Sequence, residues 1–376
     1  MSATPSNPSW RERWALWRNR RIANPAFQRW AAAFPLTKPI AEKRAKAMFD
    51  VTAGFIYSQI LSASTDLKLF DFLAGTARDL AEIADHTGLP ADSAMTLLRA
   101  GAALDLFEEV ASERFALGQG GAALLGNPGV IAMIEHHGAL YRDLIDPVRL
   151  LRDRPKDTNL AQFWRYPVAA NRRALTGGDV GSYSALMAAS QSFIAEDVLE
   201  AVSFEKFKCL LDVGGGAGAF LTAALTRHPR LDGVLFDLPA VAEMARARFD
   251  EANLGGRIRI ESGDFYESVL PTGADLATLV RVLHDHDDEK ALVILRSVYA
   301  ALPSNGTVVI AEPMAGARGA KAMGDAYFGL YLLAMGSGRP RTAEENSALV
   351  LAAGFRSAQI LTTRRPLLVS VLVARR

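Results

Sequence analysis

The segment "LHDHDDEK", residues 283–290, places two histidines and four carboxylates within eight positions. Three kinds of chemistry fit these side chains: a metal site, a general base beside a bound cofactor, or the polar start of a helix. Carboxylates at 287–289 are favoured at a helix N-terminus by the helix dipole and by capping, so they need no metal ion. The choice between the other two depends on the elements that position the histidines.

A glycine-rich turn lies about 70 residues upstream, in "KCLLDVGGGAGAFLTAALTRHP" at 208–229. The segment predicts an apolar strand, a tight turn and a helix. Gly214, Gly216 and Ala219 satisfy the G-x-G-x-x-G/A pattern of dinucleotide-binding turns, which is ambiguous by itself. Asp237 ends the next predicted strand, where a carboxylate can accept ribose hydroxyls. The turn therefore predicts a site for a ribose-containing cofactor, of which there are several kinds.

Apolar segments alternate with helical ones from residue 203 onward, which predicts a doubly wound α/β sheet. The predicted strands after the turn are "GVLFD", "RIRIESGD", "DLATLVRV" and "GTVVIAE", followed by "SAQILTT" and "LLVSVLVA". The last two are too close for a crossover, so the sheet is predicted to end in an antiparallel hairpin, unlike dinucleotide folds. Strand ends then bring Asp237, Asp264, His284 and Glu312 to one edge of the sheet, where open α/β folds bind ligands.

The region from 46 to 200 is predicted to be mostly helical and to contain a winged helix-turn-helix. Leu80 and Ile83 recur at helical spacing, Gly88 ends that helix, a second helix follows, and "FEEV" and "RFAL" form a strand pair. A DNA-reading second helix needs several Arg, Lys or Asn on its exposed face, but only Arg99 is present. We therefore expect no nucleic-acid binding and interpret the region as a helical lid or dimerisation module.

The N-terminal arm is rich in tryptophan and arginine. Residues 9–30 hold four of the five tryptophans and six arginines, with Glu12 as the single acid. Trp10, Trp14 and Trp17 fall on one helical stripe with arginines on both flanks, as in interfacial helices. Three interpretations stay open: packing on its own domain or a partner subunit, peripheral membrane contact, or disorder.

Composition restricts the remaining possibilities. The 376 residues contain 42 Lys and Arg against 41 Asp and Glu, so no global charge attracts a polyanion. A single cysteine, Cys209, allows no intrachain disulfide and favours a reducing cytosol. Apolar runs are too short for a membrane span, and the N-terminus has no signal-peptide core. We expect a cytoplasmic protein, with possible contact to the cytoplasmic face of a membrane.

Several motifs then carry a family resemblance. In chain order they are "LDVGGGAGA", "FDLP", "GDFY", "LHDHDDE", "ALPSNGTVVIAE" and "GRPRTAEENSALVLAAGF". Over about 330 residues the chain resembles S-adenosylmethionine-dependent O-methyltransferases of the plant-phenol and acetylserotonin type. Within that family it is similar to bacterial carotenoid hydroxyl methyltransferases, which act on 1-hydroxy carotenoids of the spheroidene pathway. The resemblance implies a homodimer in which the helical domain dimerises and closes over the partner's substrate site.

The resemblance also implies three domains and a cofactor site. The domains are the arm at 1–45, the winged-helix-like dimerisation domain at 46–200 and the catalytic domain at 201–376. The cofactor residues are Gly214 and Gly216 at the methionine end, Asp237 at the ribose, Asp264 and Phe265 at the adenine, and Arg281 where the family usually has lysine.

His284 stands at the family's catalytic histidine, which removes the proton of the acceptor hydroxyl, and Glu312 would orient its imidazole. Pro340 replaces a second family glutamate. Either Glu312 suffices, or another carboxylate such as Asp325 takes over, or the base is weaker. His286 replaces the family's tryptophan, and the sequence indicates no function for it beyond a less bulky, more polar wall.

The acceptor pocket is expected on an apolar helix that begins near residue 323. Its candidate residues are Met323, Tyr327, Phe328 and Tyr331, which suit a long hydrocarbon. His136 and His137 are interpreted as structural, with the alternative that one of them reaches a pocket. Phenols and polyketides are alternative acceptors, and a nicotinamide dehydrogenase and a noncatalytic binding protein are the rival classes.

Overall fold

The computed structural model describes residues 9–164, 186–188, 190–317, 322–366 and 368–376. The chain divides into two compact units, Met1–Ala122 and Ala123–Arg376. The predicted domain boundaries after residues 45 and 200 stay a prediction, and helix α3 (Lys38–Asp66) runs through the first of them. Within the described ranges, every helix is too short or too polar to cross a membrane.

The first unit is mainly helical and carries a three-stranded sheet. Its helices are α1 (Trp10–Ala23), α2 (Pro25–Ala33), α3, α4 (Leu69–Phe72), α5 (Leu80–Thr87) and α6 (Ala91–Ala103), with α7 (Gln119–Leu125) at its end. Its strands are β1 (Arg78–Asp79), β2 (Phe107–Ala111) and β3 (Arg114–Leu117). Strand β3 lies between β1 and β2 and is antiparallel to both. The predicted helix pair followed by a strand pair is confirmed; β1 was not predicted.

Local sequence signals explain the ends of α5. The Asp79 carboxylate accepts the backbone N–H of Glu82, whose side chain accepts the Asp79 N–H in return, so two unpaired donors of the first turn are satisfied. Gly88 ends the helix with φ +67°, a left-handed conformation that glycine adopts without cost. Helix α6 then packs Gly101 directly against the ring of Phe107 in β2.

The described part of the second unit contains further helices and a seven-stranded sheet. The helices are α8 (Pro128–Asp143), α9 (Pro147–Asp153), α10 (Asn159–Phe163), α11 (Gln191–Ala201), α12 (Ala219–Arg227), α13 (Pro239–Glu251), α14 (Asp288–Ala301), α15 (Phe328–Met335) and α16 (Ala343–Ala352). The strands are β4 (Cys209–Val213), β5 (Asp232–Asp237), β6 (Ile258–Ser262), β7 (Leu276–Val280), β8 (Thr307–Glu312), β9 (Ser357–Leu361) and β10 (Ser370–Arg375).

The sheet order is β6-β5-β4-β7-β8-β10-β9. Strands β4 to β8 pair in parallel, whereas β10 is antiparallel to both β8 and β9. The predicted doubly wound sheet with a terminal antiparallel hairpin is thus confirmed. The strand order reverses beside β4, with β5 on one side and β7 on the other. Such a switch point opens a crevice at the carboxyl ends of the strands, which is where the glycine turn begins.

Both faces of the sheet are covered by apolar side chains. Along β4, Leu210 joins the cluster that contains α12 residues such as Phe220, whereas Leu211 joins the opposite cluster with Ile294 of α14. All six residues of β8 are buried. Continuous burial explains why these strands are runs of apolar residues without polar alternation.

The Gly101–Phe107 contact predicts a stability effect. A Cβ at residue 101 would lie 2.3 Å from a carbon of the Phe107 ring. We expect Gly101→Ala to lower the free energy of unfolding by about 2 kcal/mol through overpacking. Gly138→Ala in α8 is the control, since its Cβ would meet only the end of the Arg142 side chain at 4.0 Å. Urea unfolding measures both, and an equal effect of the two substitutions would contradict the prediction.

Candidate active site

A cavity with about 990 Å³ of empty space, including open solvent, lies at the carboxyl ends of the central strands. Its walls come from the glycine turn, from the residues that follow β5, β6 and β7, and from a segment before β4 that includes Trp164 and Gln191. All six residues predicted to bind the cofactor line it: Gly214, Gly216, Asp237, Asp264, Phe265 and Arg281.

The glycine turn leaves room at one of its positions. Gly214, Gly216 and Gly218 all have positive φ, at +68°, +59° and +73°. A Cβ on Gly214 would lie 2.9 Å from Val282, whereas a Cβ on Gly216 would meet nothing within 4 Å. Gly216 therefore presents bare backbone to the cavity, where a ligand can approach closely.

Asp237 has a structural role in addition to the predicted ribose contact. Its Oδ2 accepts the N–H of Gly216 at 2.8 Å, and its Oδ1 accepts the N–H of Leu238 at 2.7 Å. Burial raises the pKa of Asp237 to about 6, although both N–H groups act in the opposite direction. The carboxylate thus fixes the glycine turn and retains lone pairs for a ligand.

Asp212 is a buried carboxylate at the base of the same cavity. Its Oδ1 accepts the hydroxyl of Thr278 at 2.7 Å, while its Oδ2 has no hydrogen-bond partner among the described residues. Burial raises the pKa of Asp212 to about 7. A Cβ on Gly215 would lie 2.6 Å from Oδ2, so only glycine fits above this carboxylate.

The residues that follow β6 form an aromatic part of the cavity wall. Asp264 is buried and its Oδ1 accepts the N–H of Tyr266 at 2.9 Å. The rings of Phe265 and His286 meet edge to face at 5.5 Å, and Tyr266 Oη lies 2.7 Å from His286 Nδ1. His286, which the sequence indicated only as a less bulky, more polar wall, is part of the cavity lining.

Arg281 ends β7 earlier than predicted. The predicted strand "DLATLVRV" stops at Val280 because Arg281 adopts φ +59°. Its guanidinium donates to Ser190 Oγ at 2.7 Å and contacts the sulfur of Met187. Arg281 is the single Lys or Arg among the described lining residues, which also include four aspartates: Asp212, Asp237, Asp264 and Asp285.

His284 lies in a short 3₁₀ turn, Leu283–Asp285, after β7. Its Nδ1 is hydrogen-bonded to Oε2 of Glu312, the last residue of β8. Oε1 of Glu312 accepts the backbone N–H groups of Val282 and Leu283, at 3.0 and 2.7 Å. The structure therefore brings together the two predicted catalytic residues, which parallel neighbouring strands deliver to one sheet edge.

A second carboxylate contacts the same imidazole. Asp285 Oδ1 lies 2.9 Å from His284 Nε2, and Asp325, the substitute considered from the sequence, is exposed. Burial disfavours the imidazolium, but Asp285 and Glu312 outweigh it and raise the pKa of His284. Burial also raises the pKa of Asp285. Of the described residues, Asp285 and His286 line the cavity and His284 does not, so Asp285 stands at the wall beside the imidazole.

The segment "GRPRT" holds the 3₁₀ turn from its other side. Arg341 is 2% exposed, and its guanidinium donates to the carbonyl oxygens of Leu283 and His286 at 2.7 and 2.5 Å. The N–H of Arg339 donates to the carbonyl of His284 at 3.0 Å. Pro340 lies between these two arginines. Sequence reasoning missed Arg341 because nothing in its local pattern shows a buried arginine.

The consecutive carboxylates of the opening segment start a helix. Asp287 is the N-cap residue of α14, and Asp288 in its first turn pairs with Arg339 and Arg341. Among the described residues, no group of three or more His, Cys, Asp and Glu is arranged to hold a metal ion.

The predicted acceptor residues lie in and beside α15, preceded by a π-helical turn at Ala322–Tyr327. None of Met323, Tyr327, Phe328 and Tyr331 is among the described residues that line the cavity. Phe328 packs edge to face on His284 with 6.1 Å between ring centroids, and Met323 is half-buried.

Two histidines of α8 bind the two tyrosines. His137 Nε2 and Tyr327 Oη are 2.6 Å apart, and His136 Nε2 and Tyr331 Oη are 2.9 Å apart. Burial lowers the pKa of His136 to about 4 and also lowers that of His137. Both imidazoles are therefore neutral, satisfied hydrogen-bonding groups that join α8 to α15 and to the π-helical turn before it, as the structural interpretation predicted.

A seven-stranded sheet with an antiparallel strand between β8 and β9, and a glycine turn above an acidic cavity, defines a methyltransferase-type fold. Residues 141–356 match the O-methyltransferase domain family, and residues 49–126 match the O-methyltransferase dimerisation domain. The chain belongs to the O-methyltransferase family, which confirms the resemblance and the enzyme class.

Individual relatives agree with this assignment. The chain is 40% identical to demethylspheroidene O-methyltransferase of Cereibacter sphaeroides over 349 residues, 93% of this chain and 91% of that one. It is 39% identical to the Rhodobacter capsulatus enzyme of the same name, over 91% and 85% of the two chains. The solved structure of LaPhzM superposes with a TM-score of 0.73 at 27% identity, covering 88% of this chain and 98% of that one.

Asp212 predicts a pH-dependent stability difference. The pKa of Asp212 is raised from 3.8 to about 7 in the folded state. The contribution of this protonated carboxyl group to the free energy of unfolding is therefore fully present below pH 3.8 and is lost as the pH rises through 7. We expect Asp212→Asn to gain roughly 4 kcal/mol over wild type at pH 8, beyond any pH-independent offset, and less than half of that at pH 5. Chemical unfolding across this range measures the difference. Asp232→Asn, at an exposed position, controls for loss of one charge, and a pH-independent difference for Asp212→Asn would refute the prediction.

The buried position of Arg341 predicts a loss of stability when it is replaced by lysine. Lysine keeps the charge but cannot bridge two carbonyl groups and a carboxylate, so Arg341→Lys should lower the free energy of unfolding by about 3 kcal/mol. The neighbouring Arg339 is 40% exposed and pairs with Asp288 and Glu345, so Arg339→Lys should cost under about 1 kcal/mol. Equal losses in denaturant unfolding would contradict the assigned role of Arg341.

Proposed function

We propose that the chain transfers a methyl group from S-adenosylmethionine to the hydroxyl of an apolar acceptor, a 1-hydroxy carotenoid of the spheroidene pathway. The single observation that carries this function is the His284–Glu312 pair at the end of the sheet, next to an acidic cavity with a glycine turn. An imidazole oriented by a carboxylate is the group needed to remove a hydroxyl proton during transfer.

The cavity fits this donor by shape and charge. Bare backbone at Gly216 accommodates a close ligand, and Asp212, whose Oδ2 has no hydrogen-bond partner among the described residues, belongs to the same cavity lining. Four aspartates against one arginine favour a ligand with positive charge and disfavour the pyrophosphate of a nicotinamide dinucleotide. In this proposal Gly214 and Gly216 hold the methionine end, and Asp237 holds the ribose.

The adenine would lie by Asp264 and Phe265, with Arg281 at the edge of the cavity. When bound, the donor supplies a methyl group activated by a positively charged sulfur. The chain's residues then have two tasks: to orient the acceptor oxygen in line with that methyl group, and to accept its proton.

Proton removal falls to His284 through Nε2, because Nδ1 is committed to Glu312. Asp285 lies beside Nε2 and lines the cavity, so the acceptor hydroxyl must displace or bridge this carboxylate to reach the imidazole. An aliphatic alcohol is a weak acid, so its proton leaves in concert with transfer. Glu312 stabilises the imidazolium that forms.

The acceptor class rests on the relatives and on α15. The names of the two demethylspheroidene O-methyltransferases contain their acceptor, and we propose the same acceptor class for this chain by similarity. Phe328 packs on His284, and the hydroxyls of Tyr327 and Tyr331 are occupied by the histidines of α8. These residues, with Met323, therefore present apolar rings and a thioether, which suit a hydrocarbon chain.

We further propose a homodimer formed through the dimerisation domain, a cytoplasmic location, and peripheral membrane contact through residues 9–30. The match of residues 49–126 to the dimerisation domain supports the homodimer. The exposed tryptophans and arginines of α1 support the membrane contact. Membrane contact would bring the enzyme to the bilayer in which a carotenoid acceptor dissolves.

The test is methyl transfer from labelled S-adenosylmethionine to a 1-hydroxy carotenoid in detergent, with a small phenol in parallel. We expect the label on the carotenoid, and a loss of about 10²–10⁴-fold in rate for His284→Ala, the usual contribution of a general base. His86→Ala, at an exposed position in the first unit, is the control and should keep its activity.

Label on the phenol alone would retain the reaction and overturn the carotenoid acceptor. Full activity of His284→Ala would overturn the assigned base. Binding of the donor without transfer to either acceptor would favour the noncatalytic alternative.

A further inference from the structure

The N-terminal arm, extended by the adjoining Lys46 to residues 9–46, concentrates the positive charge of the molecule. It contains ten Lys and Arg against two Glu, a net charge of +8. The whole chain has a net charge of +1, so all other residues together carry −7. An anionic surface would therefore attract the arm, whereas the net charge of the remaining residues adds no attraction.

The same arm exposes its aromatic rings. Helix α1 begins with a capping box between Ser9 and Glu12 and has no buried residue. Trp10, Trp14 and Trp17 are 68%, 54% and 57% exposed, on one stripe of the helix. A helix that exposes aromatic rings between arginines has the composition of one that lies in the headgroup region of a bilayer.

A cleft forms where α1 meets α2. It is lined by Trp17, Arg20, Arg21, Asn24, Ala26, Phe27 and Trp30. Arg21 lies over the ring of Trp17 at 5.7 Å. Two guanidinium groups beside three aromatic rings provide donors for a phosphate and apolar surface for the glycerol and upper acyl chain attached to it.

We propose that this cleft and the stripe of Trp10, Trp14 and Trp17 form a binding site for anionic phospholipids at a bilayer surface. A second copy of the chain is the less suitable occupant, because the segment that matches the dimerisation domain begins at residue 49, beyond the cleft. The remaining residues carry −7 and would also attract the arm of a second copy, but a protein surface of mixed sign offers no continuous anionic plane, whereas a layer of lipid phosphates does. The site rests on the membrane contact proposed above and specifies its lipid chemistry.

The experiment is binding of the full chain to vesicles of phosphatidylglycerol mixed with phosphatidylcholine, and to vesicles of phosphatidylcholine alone. Four of the five tryptophans lie in the arm, so tryptophan emission reports on it directly. We expect a blue shift with the anionic vesicles and quenching by lipids brominated on the upper acyl chain. Replacing Arg20 and Arg21 by Gln should weaken binding about thirtyfold, at about 1 kcal/mol per basic residue near an anionic surface.

Arg230→Gln with Arg246→Gln removes the same charge from exposed positions of the second unit and should leave vesicle binding unchanged. Equal binding to neutral vesicles, equal weakening by both double variants, or dissociation of a dimer by the arm variant would overturn the lipid site. Methyl transfer to a detergent-dissolved acceptor is measured on the same samples. Retained transfer with lost vesicle binding isolates the lipid site, and vesicle binding without transfer leaves it standing while the proposed reaction fails.

Discussion

The carboxylate of Glu312 is the fixed point on which the candidate site depends. One oxygen accepts two backbone N–H groups, from Val282 and Leu283, and the other bonds to Nδ1 of His284. The end of β8 is thereby tied to the turn that follows β7, and the imidazole is oriented by the same group. Arg341 binds the carbonyl oxygens of that turn from the opposite side. The turn that carries His284 is thus hydrogen-bonded both through its backbone N–H groups and through its carbonyl oxygens.

The second constraint is the accumulation of carboxylates at one sheet edge. Burial of Asp212 and Asp237 raises the pKa of each, to about 7 and about 6, which means that their ionised forms cost folding free energy. The fold retains them at this cost, and each accepts at least one hydrogen bond from a neighbouring group. A ligand with positive charge would offset that cost, and it would also lower the pKa of His284 toward the value a base needs. Stability and ligand binding are therefore coupled through the same side chains.

The sequence was sufficient for much of this site. Asp237, Asp264, His284 and Glu312 were predictable because parallel strands end at one edge, and an apolar run marks each strand. Gly214 and Gly216 followed from the glycine pattern, and Phe265 only from the family resemblance. The terminal hairpin followed from the short link between its strands. These features depend on chain connectivity and residue type, which the sequence states directly.

Other features depend on side-chain direction and long-range packing, which the sequence does not state. Asp285 adjoins His284 in the chain, yet only the 3₁₀ turn brings its carboxylate to Nε2. Arg341 looks like a surface residue until the fold buries it. Arg281 has a left-handed backbone that shortens β7, and nothing in its neighbourhood predicts this. The assigned roles in binding and catalysis stay proposals.

The central claim is that His284 accepts the proton and that Asp285 sets its basicity. The most direct measurement is the pH dependence of kcat/KM for methyl transfer in wild type and Asp285→Asn. Asp285 raises the pKa of His284, so its removal should shift the ascending limb of the profile to lower pH. An ascending limb at the same pH in both proteins would contradict the account.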